Sequence, residues 1–128
     1  MDPVSLHLRL LPGHYAVAQP SNWPDWLPAD GFVSVTRTGG EISVVCEERL
    51  VPAGILKESG FRALEFQGPF PFGLTGILDS VLHPLAQGRI GIFAMSTYDT
   101  DYVLVKAGNL GRAVAALTAA GHLVATEA

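Results

Sequence analysis

Apolar and polar positions alternate with period two at the start of the chain. Leu6, Leu8 and Leu10 interleave with His7, Arg9 and Leu11, the signature of a half-buried strand. Pro12-Gly13 marks a turn, and residues 14–18 predict a second short strand. Residues 20–31 hold three prolines and two tryptophans, which leaves room for one helical turn at most, with Pro24 near its start. Phe32–Arg37 and Glu41–Cys46 flank Thr38-Gly39-Gly40, predicting a hairpin whose glycines supply a positive φ. A brief helix between Glu47 and Leu56 is limited by Pro52 and Gly54.

The second half has a sharper pattern. Phe61–Phe66 alternates as a strand, and Gly68–Gly73 is a rigid loop with two prolines. Leu74, Ile77, Leu78, Val81, Leu82 and Leu85 fall at i, i+3, i+4, i+7, i+8 and i+11, predicting an amphipathic helix of about four turns. Pro84 is expected to loosen its last turn and Gly88 to end it. Residues 90–97 and 102–106 predict two strands about a tight turn at 98–101. Asn109 then suggests an N-cap for a second helix carrying Leu110, Ala113, Val114 and Leu117, with Gly121 at its C-cap and a last strand over 122–126.

Residues 61–126 therefore spell β-α-β-β-α-β, the ferredoxin-like order. The first half follows a similar order with reduced helices and one extra strand. The expected fold class is α+β, with two ferredoxin-like units in tandem over 1–60 and 61–128, antiparallel sheets, and helices on one face. Units this small are marginal alone, so their sheets are expected to pack or pair.

Composition narrows the function. Of 128 residues, 48% are hydrophobic and 16% charged, and the net charge is -4. With a mean hydropathy of +0.32 the chain is too apolar to be disordered. Residues 1–60 carry four basic and seven acidic side chains, and 61–128 carry four and five. Neither half has a basic face, which argues against nucleic acid or an anionic membrane as partner. Low charge with high apolar content suggests a surface covered by a partner or a second copy. The single cysteine, Cys46, permits no internal disulfide. Met1-Asp2-Pro3-Val4 lacks the basic start of a signal peptide, and no stretch approaches the roughly 18 apolar residues of a spanning helix, so a cytoplasmic protein is expected.

No catalytic constellation emerges. The four histidines, His7, His14, His83 and His122, lack metal-ligand spacing, and Cys46 alternates within an apolar strand as a small buried thiol would. There is no nucleophile elbow, phosphate-binding loop or dinucleotide fingerprint. The order βαββαβ also occurs in RNA-binding domains. The strand Tyr102–Lys106, however, has one aromatic and one lysine where such domains present a glycine-aromatic run. No catalytic residue, metal or cofactor is therefore assigned.

Two segments stand out. In Phe72-Gly73-Leu74-Thr75-Gly76-Ile77-Leu78, a strand–loop–helix junction, Gly76 falls in the first helical turn, where alanine would favour the helix by about 1 kcal/mol. A glycine there admits a ligand or another backbone to amides that lack intrahelical partners, or else serves helix–sheet packing. The second segment is Ser96-Thr97-Tyr98-Asp99-Thr100-Asp101-Tyr102. It holds more carboxylates and hydroxyls than a hairpin turn needs, although a solvated turn is the simple alternative.

These residues carry a family resemblance. Phe72–Leu78, Pro84-Leu85-Ala86 and the run from Ile90 to Val105, together with Phe32–Thr38 and Glu41–Cys46, resemble the small bacterial proteins built from two ACT-type domains. The pattern is also similar to the eukaryotic CASTOR arginine sensors and to the regulatory ACT domains of aspartate kinases. The resemblance implies a non-enzymatic regulator that binds a free amino acid where two such domains meet, near the first strand–helix junction, and passes the signal to an enzyme or protein partner.

The ligand-binding residues it implies are Phe72, Gly73, Leu74, Thr75, Gly76 and Ile77 with Ser96, Thr97, Asp99, Thr100 and Asp101. The helix N-terminus suits the ligand's carboxylate, and Asp99 or Asp101 suits its ammonium. Pro24 and Pro28 stand where a full first helix would be, so the C-terminal junction is the expected site. A homodimeric amino-acid sensor is the leading reading. A ligand-free interaction module that pairs through its sheets is the alternative, and a small enzyme on the same fold a third.

Overall fold

The computed structural model describes residues 5–126; the segment Met1–Val4, read above as lacking a leader, lies outside them. Its elements are β1 (His7–Leu10), β2 (Tyr15–Gln19), β3 (Ser34–Arg37), β4 (Ile42–Glu47), β5 (Leu56–Phe66), α1 (Ile77–Gln87), β6 (Ile92–Ser96), β7 (Asp101–Lys106), α2 (Leu110–Ala119) and β8 (Leu123–Ala125). The chain forms two compact units. One joins the residues up to Pro12 with those from Arg62 onward, and the other is Gly13–Phe61.

The larger unit has the expected βαββαβ order with one correction. Its strands run β8-β1-β5-β7-β6, so β1, from the start of the chain, lies between the first and last strands of the motif. β1 is antiparallel to β5, with Leu8 opposite Phe66, and parallel to β8, with Leu8 opposite Val124. The unit's sheet is thus not wholly antiparallel, and a cut between residues 60 and 61 would separate β1 from its own neighbours. The physical reason is burial. Leu6 and Leu8 enter one core with Leu64 and Phe66 of β5, Val103 and Val105 of β7, Ile77, Val81 and Leu85 of α1, and Ala113 and Leu117 of α2. Every second residue of these strands faces this core, which places both helices on the same face of the sheet.

The helices differ in detail from expectation. α1 begins at Ile77 rather than Leu74, giving three turns, and runs on through Pro84 to Gln87. Its end is turned by Arg89 at φ 57°, not by Gly88. The amides of Arg89 and Ile90 donate to the carbonyls of Ala86 (3.0 Å) and Leu85 (3.0 Å), a Schellman closure with arginine in the position glycine usually takes. α2 ends in the same closure with Gly121 at φ 97°, and the His122 amide reaches Leu117 O at 3.0 Å. Asn109 precedes α2 but makes no side-chain cap; its Oδ1 accepts from Arg112 instead.

The smaller unit orders its strands β3-β4-β2-β5, with the first half of β5 pairing β2. Ala16 and Ala18 of β2 and Val44 and Cys46 of β4 form its core with Val51. In place of a helix, the proline-rich segment lays Trp26 and Leu27 on that core, and a 3-10 turn at Glu48–Leu50 adds Leu50. The β3–β4 hairpin forms as expected but for a different reason. Gly39 and Gly40 lie outside the left-handed region, and Thr38 Oγ1 closes the turn by accepting the amides of Gly40 and Glu41, each at 3.2 Å. Burial pushes the Cys46 thiol up from its ordinary value, with the Glu47 carboxylate adding to the shift. Among the described residues no helix is long and apolar enough to cross a membrane, and no group of three or more His, Cys, Asp or Glu is placed to hold a metal.

Candidate functional site

The two segments singled out in the sequence meet in the larger unit. A cavity of about 300 Å³ is bounded on one side by Phe72, Leu74, Gly76 and Ile77 and on the other by Ser96, Thr97, Asp99, Thr100 and Asp101. Nine of the eleven residues named from the sequence line it; Gly73 and Thr75 do not, and both are exposed. Phe70, Pro71, Leu78, Asp79 and Tyr98 complete the wall.

Topology brings the walls together. β5 and β7 are neighbours, which sets the turn before β7 beside the loop after β5. Hydrogen bonds then lock the two. Thr100 Oγ1 donates to Phe66 O at 2.7 Å, and the Phe70 amide donates to Asp99 O at 2.9 Å. Gly68 suits this close approach, since a Cβ there would crowd Asp99 O at 3.0 Å and Thr100 Cβ at 3.1 Å. Within the turn, the Thr97 amide donates to Thr100 O at 2.8 Å and the Thr100 amide to Thr97 Oγ1 at 3.3 Å. Ser96 Oγ donates to Asp101 Oδ1.

Gly76 is not inside the helix. It occupies the cap position before Ile77 at φ 82° and ψ -2°, a left-handed conformation that glycine adopts without steric cost. A Cβ added there would meet no protein atom within 4 Å, so neither helix–sheet packing nor a crowded backbone explains the residue. Its carbonyl accepts the Ser80 amide at 3.0 Å, the first bond of the helix, and among the described residues no side-chain cap is made at this end. Those amides form the positive end of the helix dipole.

The cavity carries three carboxylates, Asp79, Asp99 and Asp101, and none of its lining residues is Lys, Arg or His. Asp79 in the first turn of α1 and Tyr98 at the rim are not among the ligand-binding residues named from the sequence. Asp79 was available as the polar residue next to Leu78, and Tyr98 as the centre of the aspartate-rich turn. Tyr98 and Phe72 are 81% and 77% exposed, yet their rings touch edge to face with centroids 5.0 Å apart. On the adjoining part of β7, Tyr102 OH donates to Glu65 Oε2 at 3.0 Å, while Arg9 Nη2 reaches Glu65 Oε1 at 3.0 Å. Burial first, and then the bond to the Glu65 carboxylate, push the Tyr102 phenol up to about 12.

Comparison with known proteins places this geometry. The model of the ACT domain matches residues 56–119, and a second family model, that of an N-terminal domain, matches residues 13–54. The protein Atu0741 from Agrobacterium tumefaciens has a similar structure, with a TM-score of 0.91 and 39% identity, covering 98% of this chain and 96% of that one. The regulatory subunit of aspartate kinase from Thermus thermophilus shares the fold at a TM-score of 0.60 and 12% identity, over 93% of this chain and 99% of that one. The human putative protein CASTOR3P is 48% identical over 40 residues, 31% of this chain and 24% of that protein, so the match spans about a quarter of that relative. The chain belongs to the ACT-domain family, a family of regulatory domains.

Proposed function

We propose that the cavity between the start of α1 and the β6–β7 turn binds a free amino acid, and that the protein is a sensor that passes this binding to an enzyme or protein partner. The observation that carries the reading is the convergence of a helix N-terminus and a carboxylate-rich turn on one cavity of amino-acid size. An amino acid is a zwitterion. Its carboxylate suits the uncapped amides at the start of α1, and its ammonium suits Asp99 or Asp101, through charge-assisted bonds of about 1.5–3 kcal/mol each. Ser96 already engages one oxygen of Asp101, which orients that carboxylate. ACT domains in general bind amino acids and form oligomers, which supports the same reading and a homodimeric assembly. The absence of cationic lining favours a ligand with a cationic side chain, such as arginine or lysine. Residues 13–61 are read as a reduced ACT-like unit, the protein as cytoplasmic, and no catalytic step is assigned to it.

A thermal-shift screen of the full chain against the twenty amino acids tests the proposal. Ligand at 100 Kd adds about 2.7 kcal/mol of stability. One or a few amino acids are expected to raise the melting temperature, and Asp99→Asn or Asp101→Asn to abolish the rise. No rise with any amino acid at millimolar concentration overturns it. That result favours the second reading, an interaction module, which draws on the exposed apolar rim of Phe72, Leu74 and Tyr98.

A further inference from the structure

Outside the cavity, His122 is the one buried polar or charged side chain among the described residues, 2% exposed. Both of its ring nitrogens are used, and by the main chain of two different elements. Nδ1 accepts the Leu6 amide at 3.0 Å, so Nδ1 carries no proton. Nε2 lies 2.8 Å from Ser80 O on α1 and must donate to it. These two bonds define the neutral ring with its proton on Nε2.

The same corner holds β8 in place. Among the described residues this three-residue strand pairs with β1 alone. The Leu123 amide donates to Leu6 O at 2.9 Å, and Ser5 Oγ donates to Gly121 O at 2.7 Å. Leu6 is therefore bonded on both its amide and its carbonyl to consecutive residues, His122 and Leu123.

We propose that His122 is a proton-sensitive latch for the edge strand β8. When the ring takes a proton from solvent at Nδ1, the new N–H faces the Leu6 N–H, donor against donor, and that bond breaks. A positive charge also appears on an almost fully buried side chain. No buried carboxylate offsets it. The charged and titratable groups on the packed elements are His7 and Arg9 on β1, Asp79 and His83 on α1, and Arg112 on α2, all of them exposed, and β8 has none. The cheapest relief is for residues 122–125 to leave β1. The outer edge of β1 is then open to another strand, which makes acidification a switch for strand pairing.

Nuclear magnetic resonance of the full chain between pH 7.5 and 5 tests this. Ring nitrogen shifts of His122 report its protonation, and cross-strand contacts between His7 and Leu123 report the latch. The expected result is loss of the His7–Leu123 contacts in step with protonation, while β6–β7 contacts persist. His122→Gln carries an acceptor and a donor at a similar separation but takes up no proton, and is expected to keep β8 paired throughout. A ring that protonates with β8 still paired, a ring that stays neutral over the whole range, or a glutamine variant that loses β8 over the same range overturns the proposal. If the variant does not fold, the parent titration decides alone.

Discussion

His122 restores a hydrogen bond that Pro84 removes. Within a helix, the carbonyl of Ser80 would accept the amide of residue 84, but proline has none. His122 Nε2 sits 2.8 Å from that carbonyl and supplies the missing donor from outside the helix. Gly121 makes this possible, since its left-handed turn after α2 delivers the next residue to the flank of α1.

The pairing has a measurable energetic consequence. His122→Ala leaves the Leu6 amide and the Ser80 carbonyl without partners and is expected to cost about 2–4 kcal/mol. Adding Pro84→Ala returns an amide to Ser80, so the double variant is expected to fall short of additivity by about 1 kcal/mol. Urea denaturation of the four proteins in the cycle checks both numbers.

Gly76→Ala is expected to lower stability by about 1–2 kcal/mol, because alanine is strained at a positive φ. Helix propensity read from sequence suggests the opposite sign, a gain of up to about 1 kcal/mol. Gly76→Asn, which tolerates this conformation better, is expected to cost less than alanine. Chemical denaturation of the two variants beside the parent gives the sign.

Arg89→Gly is expected to stabilise the protein by about 0.5–1 kcal/mol. The residue holds φ 57° at the closure of α1, where glycine has no steric penalty, and this gain exceeds the added freedom of the unfolded chain. A higher denaturation midpoint with an unchanged slope is the outcome to look for.

The Tyr102 phenol, up at about 12 against an ordinary 10, links stability to alkaline pH. The folded state holds this proton more tightly than the unfolded chain does. Its contribution is therefore complete below about 10 and is lost as pH rises through about 12. Tyr102→Phe is expected to lose less stability than the parent over that interval. Difference absorbance of the phenolate between parent and variant locates the titration directly.

Most strands and both helices are legible in the sequence because each buries one face, so Leu64 and Phe66 repeat every second residue and Ile77, Val81 and Leu85 every fourth. The cavity that forms the candidate site is legible in part because glycines, prolines and aspartates crowd two short segments that topology then joins. Position in the sheet was less legible. Alternation marks Leu6–Leu10 as a strand but says nothing of its neighbours, and parallel pairing with β8 depends on contacts more than a hundred residues away. The sign of φ at Gly76 is hidden because helix propensity disfavours glycine while the left-handed cap geometry calls for it. His122 gave no signal at all, since its partners are main-chain groups, which no side-chain pattern reveals.

The adjacency of β1 and β5 changes how the chain is understood as a line of text. Leu10 faces Leu64, and the Leu11 amide bonds Ala63 O at 2.9 Å, so Pro12 and Arg62 sit at the same end of one antiparallel pair. In that sense residues 13–61 are a guest inserted in sequence between two strands of the larger unit, and the ACT unit is a host written in two pieces. The host could be closed by a short turn in place of the guest, or could accept a different guest, without reordering any of its own strands.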